Sequence, residues 1–215
     1  MENNEVYRDV NYVEIGEKHN SYMVEGFRLN EETGEKGKPV AMALDFGLDK
    51  DIQSEHYDVL SNLPIDEYYE LILSNMKNEN AKEDFHLIMS TINNVDSYSQ
   101  LVDEFNSIEK RVNERYEGLD YGVIMSSLEL GKKSALIWFD KESGGLNLGE
   151  RYLNEEGTVS STSRKKSVER DVLGGALGMV GWAITGGAVL GPFGALGGMV
   201  AATVYGAATG SLFNV

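Results

Sequence analysis

"LGGALGMVGWAITGGAVLGPFGALGGMVAATVYGAATGSLF" runs from Leu173 to Phe213 without one charged side chain. Small residues recur in it at helical spacing: Gly194, Gly198, Ala202, Gly206 and Gly210 are each four apart, and Ala183, Gly187, Gly191 and Ala195 form a second row. Glycine costs about 1 kcal/mol relative to alanine in an exposed helix. Accepting that cost repeatedly on one face fits close helix–helix approach, the small-xxx-small packing common in membranes. Gly191-Pro192-Phe193-Gly194 breaks the pattern, because proline removes a donor and clashes with the preceding turn. The expectation is a glycine-zipper helical hairpin over 172–215, with Gly187, Gly191, Gly194, Gly198, Ala202, Gly206 and Gly210 as packing positions.

Each arm, 172–190 and 194–213, has close to the roughly 20 residues that cross a bilayer core. Arg164, Lys165, Lys166 and Arg170 stand just before the first arm, which by the positive-inside rule keeps both ends on one side. The insertion energy is modest. Seven Val, Leu and Ile residues in the first arm supply about −2 to −4 kcal/mol, and the second arm supplies about −1.5 to −3. Such arms suit a segment that waits in water and enters a membrane later. The alternative is a glycine-rich hairpin buried in a soluble protein, since a helix apolar all round can also be a central core helix.

The rest of the chain contrasts with this tail. Net charge is −16 over 215 residues. Residues 1–150 hold 31 Asp and Glu against 14 Lys and Arg, whereas 172–215 hold none. So acidic a body repels phosphate backbones, which argues against a nucleic-acid partner. With no cysteine, disulfides and thiolate metal sites are excluded. The first residues, MENNEVYRDVNYVEIG, lack a basic n-region and an apolar h-region. The expectation is therefore no Sec signal, with localisation cytoplasmic or membrane-associated unless another export route operates.

Apolar residues in the body recur at 3-4 spacing, the signature of amphipathic helices. One stripe is Tyr12, Ile15, His19 and Tyr22/Met23. A second is Ile65, Tyr68/Tyr69, Ile72 and Met76, entered through Pro64. Phe85, Ile88/Met89 and Ile92 follow. The clearest is Leu101, Phe105, Ile108, Val112 and Tyr116, with Asp96 or Ser97 as N-cap. Ile124, Leu128, Gly131, Ala135 and Trp138/Phe139 close the series. These stripes predict an all-α fold, a helical-bundle body over 1–150. Residues 30–39 (NEETGEKGKP) read as a surface loop, 144–149 (GGLNLG) as a turn, and 151–171, polar and Ser/Thr-rich, as a linker with a basic cluster.

Catalytic chemistry is weakly represented. There is no phosphate loop, nucleophile elbow or HExxH helix, so no enzyme activity and no cofactor are expected. Glu83 and His86 at i, i+3 make half of a di-iron constellation, but Gly16 and Gln53 stand three residues before His19 and His56, so no second half exists. His19 and Asn20 form the one speculative polar site; a histidine on an apolar face reads first as a core residue hydrogen-bonded to a carbonyl or carboxylate.

Tyr12, Gly16, His19 and Asn20, in the spacing Y-x3-G-x2-H-N and joined to the charge-free C-terminus, resemble an uncharacterised group of bacterial proteins, mostly from Bacteroidetes. The resemblance implies a bacterial source; relatives often start with an export or lipoprotein signal, which these first residues lack. The tail's glycines, including Gly174, Gly175, Gly178, Gly186, Gly187 and Gly191, are similar to the helices of pore-forming class II bacteriocins. Together these readings point to a membrane-active, toxin-like or effector-like protein. Its tail inserts in lipid or self-associates, and an immunity or chaperone protein would be its partner. The alternative is a soluble, non-enzymatic protein with the hairpin as core element or oligomer interface.

Overall fold

A computed structural model of the chain describes residues 4–33, 65–149 and 160–184. Among these the fold is all-helical: α1 (Asn4–Arg8), α2 (Tyr12–Thr33), α3 (Ile65–Asn75), α4 (Glu79–Asn94), α5 (Tyr98–Arg115), α6 (Gly118–Trp138) and α7 (Ser161–Ile184). Of the loop expected at 30–39, residues 30–33 belong instead to α2, which runs to Thr33, and 34–39 lie outside the described residues, as do the second tail arm and every packing position from Gly187 to Gly210.

α6 is the hub, touching α1, α2, α4, α5 and α7. Asp120 to Gly131 is buried without interruption, so this helix has no solvent face there. Its polar groups are satisfied locally. Ser126 and Ser127 hydroxyls donate back to the Val123 carbonyl at 3.0 and 2.7 Å. The Lys132 ammonium bridges buried Glu129 and, across to α5, Glu109 at 3.0 Å. Gly131 lies against the Phe105 ring so tightly that a Cβ would clash with it, which brings α5 close to α6. Gly16 does the same for α2, where a Cβ would sit 2.6 Å from Lys133 Cγ.

The amphipathic stripes read from sequence face inward, those of α2, α4 and α5 toward this hub and that of α3 toward α7. Tyr12, Ile15, Tyr22, Met23, Ile72, Phe85, Ile88, Ile92, Leu101, Phe105, Ile108 and Val112 are all buried in one core. Caps fix the helix starts. Asn78 accepts the Asn80 N–H at 3.0 Å at the head of α4. Of the two residues proposed to cap α5, Ser97 is the one that accepts the Gln100 N–H. The α3–α4 joint is pinned by Asp120, whose two oxygens accept the Lys77 and Asn78 N–H groups at 2.9 Å each. The GGLNLG turn caps the hub: Leu146 and Leu148 N–H donate to the Leu136 and Ile137 carbonyls at 2.7 and 2.9 Å, with Asn147 at a positive φ of 57°.

α7 departs from the expected organisation. It begins at Ser161, inside the segment read as a polar linker, and runs unbroken into the first tail arm. Ser160 Oγ accepts the Ser163 N–H at 3.1 Å and caps it. The helical period was hidden because the inward positions of its first half are Arg164, Ser167, Val168 and Asp171, three of them polar. Arg164 is buried against Asp140 at 3.0 Å. From Asp171 to Val180 every residue is buried. Body and tail therefore share one core as far as Val180. Tyr7 of α1 even meets Trp182 edge-to-face at 5.9 Å, joining the two ends of the described chain.

Candidate functional site

The polar residues singled out by sequence, His19 and Asn20, sit where α2 crosses α6 and α7. His19 has no solvent exposure. Its Nε2 lies 3.4 Å from Asp171 Oδ2, and Asp171 is equally sealed. The same oxygen accepts the Ser134 hydroxyl at 2.6 Å and the Trp138 indole N–H at 2.9 Å. His19 Nδ1 stands 3.1 Å from Asn20 Oδ1, while the Asn20 amide donates to the Lys133 carbonyl at 3.0 Å. Phe27 of α2 closes over Trp138 edge-to-face at 5.3 Å.

Serine, histidine and aspartate thus meet, but not in the order nucleophilic catalysis needs. A serine nucleophile hands its proton to the histidine, and the carboxylate orients that histidine from the far side. Here Ser134 donates to Asp171 instead. The cluster is a cross-link: one carboxylate oxygen on α7 gathers donors from α6 and the imidazole of α2. Asp171 Oδ1 finds no hydrogen-bond partner among the described residues. That gives the cluster an energetic cost of burial.

Sequence reading found His19 and Asn20 but missed Asp171, Ser134 and Trp138. Asp171 had been placed at the end of a linker. A signal was nonetheless present. Ser134 and Trp138 are four apart on one face of α6, and Asp171 is the last charge before the uncharged run, one residue before its apolar face continues.

A second polar region opens to solvent between α3, α4 and α7, a groove of about 650 Å³. His86, considered above only as half of a metal site, projects here and hydrogen-bonds through Nδ1 to the Tyr69 hydroxyl. The Tyr69 ring lies between Phe85, at 5.6 Å, and His86, at 5.3 Å. Burial raises the Tyr69 phenol above its ordinary value, and the Glu169 and Glu70 carboxylates beside it add to the shift. Among the described residues no group of three His, Asp or Glu side chains could hold a metal ion.

A third buried polar group lies between α4 and α5. Asp84 accepts the Tyr116 hydroxyl at 2.8 Å and the Arg111 guanidinium at 2.9 Å. Among the described residues no helix is long and apolar enough to cross a membrane. Comparison with known proteins finds no matching family model, no matching curated protein and no matching solved structure.

Proposed function

We propose that the chain is a soluble, non-enzymatic helical-bundle protein whose charge-free C-terminal segment enters the fold as a core element. The observation that carries this reading is the unbroken burial from Asp171 to Val180, the first half of the first tail arm. Withdrawing α7 into a bilayer would expose Val168, Val172, Leu173, Leu177, Met179 and Val180 together with the α6 face they cover. At about 1.5–3 kcal/mol for each large side chain, that burial is worth roughly 10 kcal/mol or more before entropy is counted. Such a sum is comparable to the whole net stability of a domain, about 5–15 kcal/mol. A non-enzymatic role is favoured by the sealing of His19 and by a serine that serves the aspartate rather than the histidine.

The second reading is a membrane-active, toxin-like protein guarded by an immunity or chaperone partner. It is favoured by the end of α7: the helix emerges at Gly181, Ile184 is 62% exposed, and 31 charge-free residues follow. Co-sedimentation of the full chain with neutral and anionic vesicles, with dye release followed in parallel, separates the two. The core reading expects the protein to stay in the supernatant with vesicles intact. Vesicle binding accompanied by dye release at neutral pH overturns it in favour of the second.

A further inference from the structure

The His19 ring sits in a contact whose donors and acceptors can be counted. The Asn20 amide nitrogen donates to the Lys133 carbonyl at 3.0 Å, so its oxygen is the atom turned to His19. An amide oxygen only accepts, so His19 Nδ1 carries a proton and donates it across 3.1 Å. In a neutral ring that leaves Nε2 bare. Yet Nε2 lies 3.4 Å from Asp171 Oδ2, and neither side chain has any exposure. A neutral imidazole would turn a lone pair toward a carboxylate in a space sealed from solvent, where such a contact is costly. The carboxylate itself is set up as an anion: Ser134 and Trp138 both donate to Oδ2.

The charged groups packed around this contact do not relieve it. On α2, Lys18 reaches Glu14 at 2.8 Å, and Glu17 reaches Lys133 of α6 at 3.5 Å. On α6, the Lys132 ammonium is taken by Glu129 and Glu109. On α7, Arg170 stands next to Asp171, and its guanidinium is drawn to Glu169 and Asp171. Neither Asp171 oxygen accepts a hydrogen bond from it among the described residues. A guanidinium also keeps its charge at every working pH, so its pull on Asp171 does not vary with pH. The group left to respond to pH at this contact is the His19 ring.

We propose that the His19–Asp171 contact is a proton-operated latch on α7. A second proton, on Nε2, replaces the facing lone pair with an N–H, and the imidazolium then pairs with the carboxylate and holds α7 to α2. Loss of that proton to solvent restores the lone pair and loosens α7 at Asp171, where the charge-free run begins. In the unfolded chain the same histidine is solvated and has no such partner. The folded chain therefore keeps a proton that the unfolded chain gives up. It follows that α7 is held most firmly at lower pH and less firmly as pH rises through the histidine range. The latch concerns the attachment of α7 to the body and holds under either reading of the C-terminal segment.

The experiment is long-range proton–nitrogen NMR of the full chain, labelled with nitrogen-15 at histidine, which reads the protons on each ring nitrogen. His19→Gln assigns the His19 signals; if that variant does not fold, His56→Gln and His86→Gln assign them by elimination. Expected at neutral pH is a His19 ring with protons on both nitrogens. A bare Nε2 in the parent chain overturns the proposal, whatever the variants do. Asp171→Asn, checked for folding by circular dichroism, should strip the second proton, and a ring still doubly protonated in that variant overturns Asp171 as its cause. Hydrogen exchange then reads the latch itself. From about pH 6 to about pH 9, across the histidine range, the α7 amides should lose about tenfold in protection relative to those of α5, the scale of one buried hydrogen bond. Equal losses in α5 and α7 overturn the latch, because they mean that the whole fold weakens in alkali. Unchanged protection in α7 overturns it too.

Discussion

His19 and His86 each meet a polar side chain from another helix, and there the likeness stops. His19 lies beside Asp171 where neither has any exposure, with Ser134 and Trp138 donating to the same carboxylate oxygen. His86 pairs with Tyr69 on the wall of an open groove. In the interior, a lost partner leaves a desolvated group that water cannot reach. At the surface, water replaces what is removed. The same residue type therefore acts as a structural rivet in one place and as a solvent-facing surface group in the other. The difference is set by how many helices close around it.

The harshest way to break this comparison is to remove α7, which supplies one wall of each region. A chain ending at 159 should lose cooperative thermal melting by circular dichroism, because the α6 face and the Ser134 and Trp138 donors are left uncovered. A truncated chain that still melts sharply would show that residues 1–150 hold a core of their own, as the sequence alone suggests.

Single substitutions in the sealed region should follow in size. Asp171→Ala leaves the Ser134 hydroxyl and the Trp138 indole without their shared acceptor and removes the carboxylate beside His19, and should cost about 3–5 kcal/mol, the range for breaking a buried pair from one side. Asp171→Asn, which keeps one acceptor, should recover part of that loss. His19→Ala should cost about 1–3 kcal/mol, since the carboxylate retains two donors. Denaturant melts of the three variants test the order, and a His19 loss equal to that of Asp171 would mean that the histidine dominates the cluster.

Much of the fold was legible from hydrophobic spacing, for plain reasons. The α5 stripe of Leu101, Phe105, Ile108 and Val112 faces inward because a one-sided apolar period leaves a helix no other way to bury it. α6 was read as one more stripe, through Ile124, Leu128, Gly131 and Ala135, and a one-sided period does not show that the helix is buried on all sides from Asp120 to Gly131. Its place at the centre is instead marked by Gly131 and by serines that satisfy themselves. α7 was read least well. Its inward positions at 164, 167 and 171 are polar, so a search for apolar repeats passes over them, and the helix was divided into a linker and a tail. The site suffered the same loss, because Asp171 becomes meaningful only when α7 lies against α2 and α6. Glu70 and Glu169 are 99 positions apart in the chain, and no local pattern could bring them to one groove.

Tyr116 supplies a third environment in which to sharpen the comparison. Burial, with the hydrogen bond to Asp84 and that carboxylate's charge, pushes its phenol up to about 12 from 10.0. A folded value above the unfolded one means a contribution that is complete below about pH 10 and lost as pH rises through about 12. Tyr116→Phe should cost about 0.5–1.5 kcal/mol at neutral pH. In alkaline melts the variant should lose stability less steeply than the parent, and an identical slope would assign that loss to other tyrosines, with Tyr12, also raised by burial, the first to examine.

The smallest effect is expected at His86. Its ring is exposed on the groove wall, and its hydrogen bond is to a hydroxyl that water can replace equally well. His86→Ala should therefore change stability by about 0.5 kcal/mol or less, as surface substitutions do. The two histidines then differ severalfold in structural cost despite similar polar partners. A loss at His86 as large as at His19 would show that the Tyr69 pairing is a second rivet holding α3 to α4, and the division between a sealed and an open region would fail. A small loss would leave His86 as an aid to the placement of Tyr69 on the groove wall.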